Sequence, residues 1–410
     1  MASIINSDDG VISGTAGLKS TGANDGALNI QTNGTNAITV SSAQTVAING
    51  NNISADNSLG FRNRFINGAM VIDQRNAGAS VTPTVNGTYT LDRWRTSLSQ
   101  ASKYSVQQNA GSVTPPVGFA NYLGITSTSA YSIVSSDYFI LQQAIEGFNT
   151  NDLGWGTASA KSITISFWVR SSLTGTFGGV LYNSAGNRSY PFTYTISAAN
   201  TWEQKSVTIA GDTSGTWLTN NGVGIWVNFG LGVGSTYSGT AGSWSGNLYF
   251  SATGATSVVG TNGATFYITG VQLEVGSVAT PFERRDYGRE LAMCQRYYEK
   301  YSLGSNTTIC MMQCYSTSAA LGGPIKYTVT KRATPTITLP VAGSGTNQAA
   351  LIGSNASFPA TIGTHTLTGT TVDMARVDAT GYTSAFTAGN ASTYISTNSG
   401  TAVIEISAEL

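Results

Sequence analysis

Residues Thr265–Tyr301 read TFYITGVQLEVGSVATPFERRDYGRELAMCQRYYEKY. The first half carries apolar side chains at alternate positions, the period of a half-buried strand. Gly270 interrupts that alternation where a bulge would shift it by one residue. Pro281 has no N–H to give to a ladder and ends the strand. From Arg284 the spacing turns helical. Tyr287, Leu291, Cys294 and Tyr298 make one apolar stripe, with Arg289, Glu290, Arg296 and Glu299 off it. The pattern predicts a linker helix over 284–303 at the end of a β-rich module. A stripe that long needs a dry partner, and the expected partner is the same helix in neighbouring copies of the chain.

Only 10% of the 410 residues are charged, against about 25% in ordinary soluble domains. Lys plus Arg equals Asp plus Glu, so no net field draws in nucleic acid or an anionic membrane. Forty-eight glycines beside 40% hydrophobic residues describe many short strands joined by tight turns, and the aromatic content argues against disorder. Such a neutral surface, rich in Ser, Thr and Asn, suits uncharged polar partners, sugars foremost; durability alone is the competing explanation. No run of about 18 apolar residues predicts a membrane span, and MASIINSDDG has neither the basic head nor the apolar core of a signal peptide. Assembly in a cytoplasm is therefore expected. Cys294, Cys310 and Cys314 form no disulfide framework, and with a single His365 they fall short of the four ligands zinc prefers. They are expected to be buried free thiols, and no metal or cofactor is assigned.

Three further segments flank the junction. Residues 1–57 hold short alternations (Leu28, Ile30; Ile38, Val40; Val46, Ile48) that cannot bury enough surface alone, so a fibrous stalk built on copies of itself, a homotrimer, is expected. Residues 58–283 open on FRNRFINGAMVIDQRNAGASVT and YTLDRWR, where Arg62, Arg64, Asp73, Arg75, Asp92, Arg93 and Arg95 concentrate the charge. Mixed signs at that spacing predict local ion pairs around turns. Strand candidates then recur: SITISFWVRSS, GGVLYNSAGN, SYPFTYTIS, EQKSVTIAG, VGIWVNFGLG, GNLYFSAT and TFYITGVQLEV, an all-β antiparallel jelly-roll sandwich. Residues 304–410, nearly free of charge, read as a C-terminal β domain.

Several of these strings carry a resemblance. GVQLEVGSVATPFE with YGRELAMCQRYY resembles the junction of tail fibres and receptor-binding proteins of tailed bacteriophages. LNIQTNGTNAITV, FRNRFINGAM, KYTVTKRATPTITLP and the closing VIEISAEL resemble other parts of such fibres. The order FILQQAIEG, ITISFWVRSS, NTWEQKSVTI, TFYITGVQLEVG is similar to that of jelly-roll carbohydrate-binding modules, some of which hold a structural calcium that no acidic loop here demands. The resemblance implies a virion adhesin on the phage tail. Its N-terminus would meet tail adaptor or nozzle proteins, and its partner would be host surface glycan, lipopolysaccharide or capsule. No C-terminal folding chaperone is expected after VIEISAEL.

All seven tryptophans fall between Trp94 and Trp244. In ITISFWVR, Ile163, Ile165, Phe167 and Val169 share one face, leaving Trp168 and Arg170 on the other. In GIWVNFGL, Trp226 and Asn228 oppose Ile225, Val227 and Phe229; in NLYF, Tyr249 opposes Leu248 and Phe250. Trp168, Trp226 and Tyr249 are thus the candidate stacking platform, with Arg170 and Asn228 as hydrogen-bonding rim, because a pyranose packs its C–H face on an aromatic ring. If instead that face is covered by another layer, the rings are only packing. Trp202 is expected in the core, and Trp155, Trp217 and Trp244 are loop candidates of second rank. Glu146, Asp152 and Glu203 are the acids least unlike a hydrolytic pair, but none stands in a recognisable pair, and no triad or phosphate loop is visible. Binding without catalysis is expected. A purely structural virion component and a glycan-depolymerising tailspike remain the alternatives.

Overall fold

Period-2 patterning in the middle of the chain produces two antiparallel sheets packed face to face. The structure, a computed structural model, describes residues 62–304 without a break. It also describes the strand segments 17–20, 28–32, 35–40, 46–48 and 51–53, and residues 307–342, 348–352, 363–382, 386–397 and 402–410. The chain is all-β apart from one α-helix and short 3-10 turns among these residues.

The six-stranded sheet runs Ser189–Ile196, Gly175–Tyr182, Val223–Val233, Tyr138–Glu146, Trp94–Leu98, Thr88–Leu91. Facing it, the five-stranded sheet runs Glu203–Ile209, Ile163–Ser171, Thr265–Val275, Leu123–Ser127, Tyr104–Gln108. The chain crosses repeatedly between the sheets, with three same-sheet hairpins among the crossings, the jelly-roll habit. Their inward residues fill the core: Leu141, Ile145, Phe167, Val227, Phe229, Phe266 and Leu273 are all essentially dry. The bulge expected at Gly270 is present. Ser166 pairs with Gln272 but Trp168 with Thr269, so one extra residue lies on the Thr265–Val275 strand, and Gly270 takes φ +61°.

FRNRFINGAM threads into this sandwich. Phe65 stacks on Trp94 at 5.5 Å, and Asn63 Nδ2 donates to the Val271 carbonyl. Gln143 points into the core yet is satisfied, because its amide pairs both ways with the Ile66 backbone at 2.9 Å. The charges around this segment do not pair locally as expected. Arg64 reaches Asp152, while Arg75 and Arg93 both reach Glu409. Asp73 and Asp92 act nearby, on Asn76 and Gly78 and on Gln74 respectively, and Arg95 on Ser97. The ion pairs of Arg62, Arg64, Arg75 and Arg93 instead fasten this segment to parts of the chain far away in sequence.

The helix is shorter than its spacing predicts. It spans Tyr287–Gln295, with Asp286 at the N-cap accepting from Arg289 N at 2.9 Å. Tyr298–Leu303 then becomes a strand paired with Ala402–Ser407, because the β-prone YYEKY run finds a partner remote in sequence. Part of the apolar stripe is covered within the chain. Cys294 packs with Ile66, Ile72 and Tyr297 of the same chain, and Tyr287 points away, 64% exposed.

Beyond the helix, a three-stranded and a seven-stranded sheet enclose a second core of Met312, Ile325, Tyr327, Val377, Tyr394 and Ile404. Cys294, Cys310 and Cys314 are free and buried, and burial pushes the Cys310 thiol up to about 11. Near the N-terminus, Gly17–Ser20, Leu28–Thr32, Thr35–Val40, Val46–Ile48 and Asn51–Ile53 form a five-stranded antiparallel meander. Its register sets Ile30 opposite Ile38 and Ile38 opposite Ile48.

Candidate functional site

Trp168 and Trp226 point outward from the core, as their strand alternation predicts, and both are half-buried. They do not meet. Trp168 and Arg170 lie on the outer face of the five-stranded sheet, whereas Trp226 and Asn228 lie on the outer face of the six-stranded sheet, across the sandwich. Trp168 rests at Gly270 beside Phe119, and Arg170 Nε donates to the Asn200 carbonyl at 2.9 Å. Tyr249 is not on a strand: only Ser251–Ala252 of that run pairs, and Tyr249 lies over Gly239 with its hydroxyl accepting from Asn247. Asn228 is fully buried beneath the rings. Trp202 is half-buried on the outside of the five-stranded sheet, edge-on to Tyr122, rather than in the main core.

Around Trp226 a different set of rings assembles. Trp226 stacks on Tyr182 at 6.0 Å with 15° between planes. Tyr182 meets Phe250 at 6.0 Å, and Phe250 stacks on Tyr237 at 4.9 Å, with Tyr138 closing the group at 5.1 Å from Phe250. At the other end the Arg95 guanidinium lies 4.6 Å from the Trp226 ring, and Tyr89 flanks Arg95 at 5.9 Å. These groups form one continuous row across the six-stranded sheet. Trp226, Phe250, Tyr237, Tyr138, Tyr89 and Arg95 are each half-buried, so the row is lodged in the surface without being sealed.

Sequence makes the row in two ways. Arg95, Tyr138, Tyr182 and Trp226 are outward residues of adjacent strands. Phe250 and Tyr237 arrive on the loop after Val233, which folds back over the sheet and is held by Phe250 N donating to the Tyr237 carbonyl at 2.7 Å. The sheet is cut away to receive it. A Cβ on Gly178 would sit 2.4 Å from Ser251 Oγ, and one on Gly230 2.6 Å from the same atom.

The floor beneath the rings is polar. In the amide orientation that satisfies both its ends, Gln142 accepts from Arg95 Nη2 at 2.9 Å and donates to Asn228 Oδ1 at 3.1 Å. Burial raises the Tyr182 hydroxyl above its ordinary pKa despite nearby Arg95, so it stays a neutral donor and acceptor. Flat apolar rings with amide and guanidinium groups between them can pack against C–H faces and hydrogen-bond hydroxyls. The three acids singled out in the sequence are held elsewhere. Glu146 takes the Arg296 guanidinium at 2.7 Å and the Tyr297 hydroxyl, Asp152 pairs with Arg64, and Glu203 caps Ser197 and Ala198 N at 2.8 Å.

No protein-family model and no curated protein sequence matches the chain. Among solved structures, it is similar to the enzymatically active domain of tailspike protein 4 of bacteriophage CBA120. Identity there is 12%, coverage 48% of this chain and 22% of the tailspike's, and the TM-score 0.28. It is similar to a family 11 carbohydrate-binding module from Clostridium thermocellum in complex with a β-1,3-1,4-mixed-linked tetrasaccharide, at 10% identity, 49% and 98% coverage and TM-score 0.25. It is also similar to the CBM22-1–GH10 modules of Clostridium thermocellum xylanase 10B complexed with xylohexaose, at 15% identity, 56% and 33% coverage and TM-score 0.24. Matches of this depth assign no ligand to this chain.

Of the five residues proposed from sequence, Trp226 belongs to the row and Asn228 to the floor beneath it. Tyr182, Arg95, Tyr89 and Tyr138 were open to the same outward-facing logic once their strands were known to be neighbours. Phe250 reads from alternation as an inward residue and Tyr237 carries no local signal, yet both stand in the outer row, because their places depend on a loop crossing the sheet.

Proposed function

We propose that this chain is a virion adhesin, a tailed-phage tail fibre or receptor-binding protein. It holds host surface glycan, lipopolysaccharide or capsule, non-covalently along the row from Tyr89 to Tyr237. The observation that carries the reading is the row itself: partly exposed rings with neutral amides beneath, on a chain whose surface offers few charges to any other class of partner. The residues before the sandwich attach the protein to adaptor or nozzle proteins of the tail, and three copies associate as a homotrimer. One shallow site per chain binds weakly, and several sites per virion multiply through effective concentration. The acids engaged in structural pairs favour binding without cleavage.

The test presents the intact protein to a panel of bacterial lipopolysaccharides and capsular polysaccharides, with retention and polymer length measured together. Retention of at least one polymer at unchanged length, lost in a Trp226→Ala, Tyr182→Ala double variant, is expected. A structural virion component would retain none, and a depolymerase would shorten the polymer. Light scattering on the same sample should return three chains; a folded monomer contradicts the assembly.

A further inference from the structure

Trp155, Trp217 and Trp244 come from separate loops and converge at one end of the sandwich. Their centroids lie 4.8, 5.4 and 5.5 Å apart, each pair edge to face. Each indole N–H already donates to a backbone carbonyl: Trp155 to Lys161 at 2.8 Å, Trp217 to Ser214 at 3.2 Å, Trp244 to Ala210 at 2.8 Å. Arg188 braces the same loops through two 2.7 Å bonds to Asp212. The rings are therefore fixed before any ligand arrives, which lowers the entropy cost of binding.

Beside Trp155 and Trp217 opens a cavity of about 120 Å³ whose rim carries Asn151, Thr157 and Thr219. The Asn151 amide and Thr219 hydroxyl are exposed and make no side-chain hydrogen bond among the described residues. No ionisable side chain lines the cavity. Its volume is well below the roughly 300 Å³ at which drug-sized ligand sites begin, which limits an occupant to about a single ring. Indole walls, unengaged amide and hydroxyl groups and the lack of charge together select a ring that is apolar on its faces and hydroxylated at its edge.

We infer that this pocket is a second binding site, for a single neutral pyranose such as a terminal or branch sugar. It shares a ligand class with the proposed function but none of its residues. Ile225 lines the pocket and Trp226, its chain neighbour, stands in the row on the opposite face of the strand, so the two sites flank one strand end.

The test follows indole N–H resonances of the intact, tryptophan-labelled protein during titration with methyl glycosides of glucose, galactose, rhamnose and N-acetylglucosamine. At millimolar sugar, at least one glycoside should shift Trp155 and Trp217. The shift should persist in Trp226→Ala and vanish in Thr219→Trp, which fills the mouth from an exposed position. Absence of any shift at Trp155 and Trp217 with all four sugars overturns the pocket, as does a shift undiminished in Thr219→Trp. If the pocket fails while Trp226 still responds to polysaccharide, the row's function stands alone; if the pocket responds and the row does not, the reverse holds.

Discussion

Trp168 and Trp226 leave the core by the same rule of alternation, yet their surroundings differ. Trp226 has a stacked ring on one side and a guanidinium nearby, while Trp168 has Phe119 and a bulge. Replacing Trp226 by alanine should weaken glycan binding about tenfold, ~1.4 kcal/mol, the order expected for one lost ring contact. Trp168→Ala should leave affinity within about twofold, since that residue sits on the opposite sheet. Calorimetry with a retained polysaccharide checks both, and equal losses would place the site on the wrong face. The direction in which each tryptophan points was legible because it depends only on residues i and i±2. Which sheet each strand joins was not, because that is fixed by partners dozens of residues away. Arg95 shows the same limit: in sequence it is one of seven clustered charges, and only the pairing of Trp94–Leu98 with Tyr138–Glu146 brings it near Trp226.

Among elements, the junction divides into a strand that matched and a helix that is present but shorter than its spacing predicts. Thr265–Val275 and its bulge follow from local alternation. The helix stops at Gln295 because Tyr298–Leu303 gains more as a strand against Ala402–Ser407, a competition invisible to a window of twenty residues. GNLYFSAT misled in the opposite sense. Its alternation is real, but the run folds over the six-stranded sheet, and only Ser251–Ala252 pairs, in parallel, with Ser238–Gly239. That loop depends on missing side chains beneath it. Gly178→Ala should therefore cost about 1–3 kcal/mol in urea unfolding, as overpacking does, and should also weaken glycan binding by displacing Phe250. An unchanged midpoint together with unchanged binding would mean the loop does not rely on that gap.

Across the whole molecule, stability should respond to acid through two opposed groups. His365 is clasped between the Tyr382 and Tyr394 hydroxyls, and burial lowers its pKa to about 4. The unfolded chain takes up that proton near 6.5 and the folded chain only near 4, so this contribution, about 3 kcal/mol, is present above 6.5 and is lost as pH falls to 4. Asp92, raised by burial to about 6, acts oppositely, binding its proton in the folded state first. Comparing thermal unfolding of the native protein and His365→Gln separates them: the gap between the two should narrow from pH 7 to pH 4.5. A constant gap would show that His365 does not titrate differently on unfolding. Finally, Arg93 is buried beneath the Tyr297 ring, and its carboxylate partner is Glu409, 316 positions later. At 5–20 residues per second, the ribosome delivers that partner roughly 15 to 60 s after the arginine. Until then the nascent sandwich holds an uncompensated cation at its margin, so its final closure waits on translation of the far domain, and a message truncated before codon 409 should yield a product that chaperones keep rather than release.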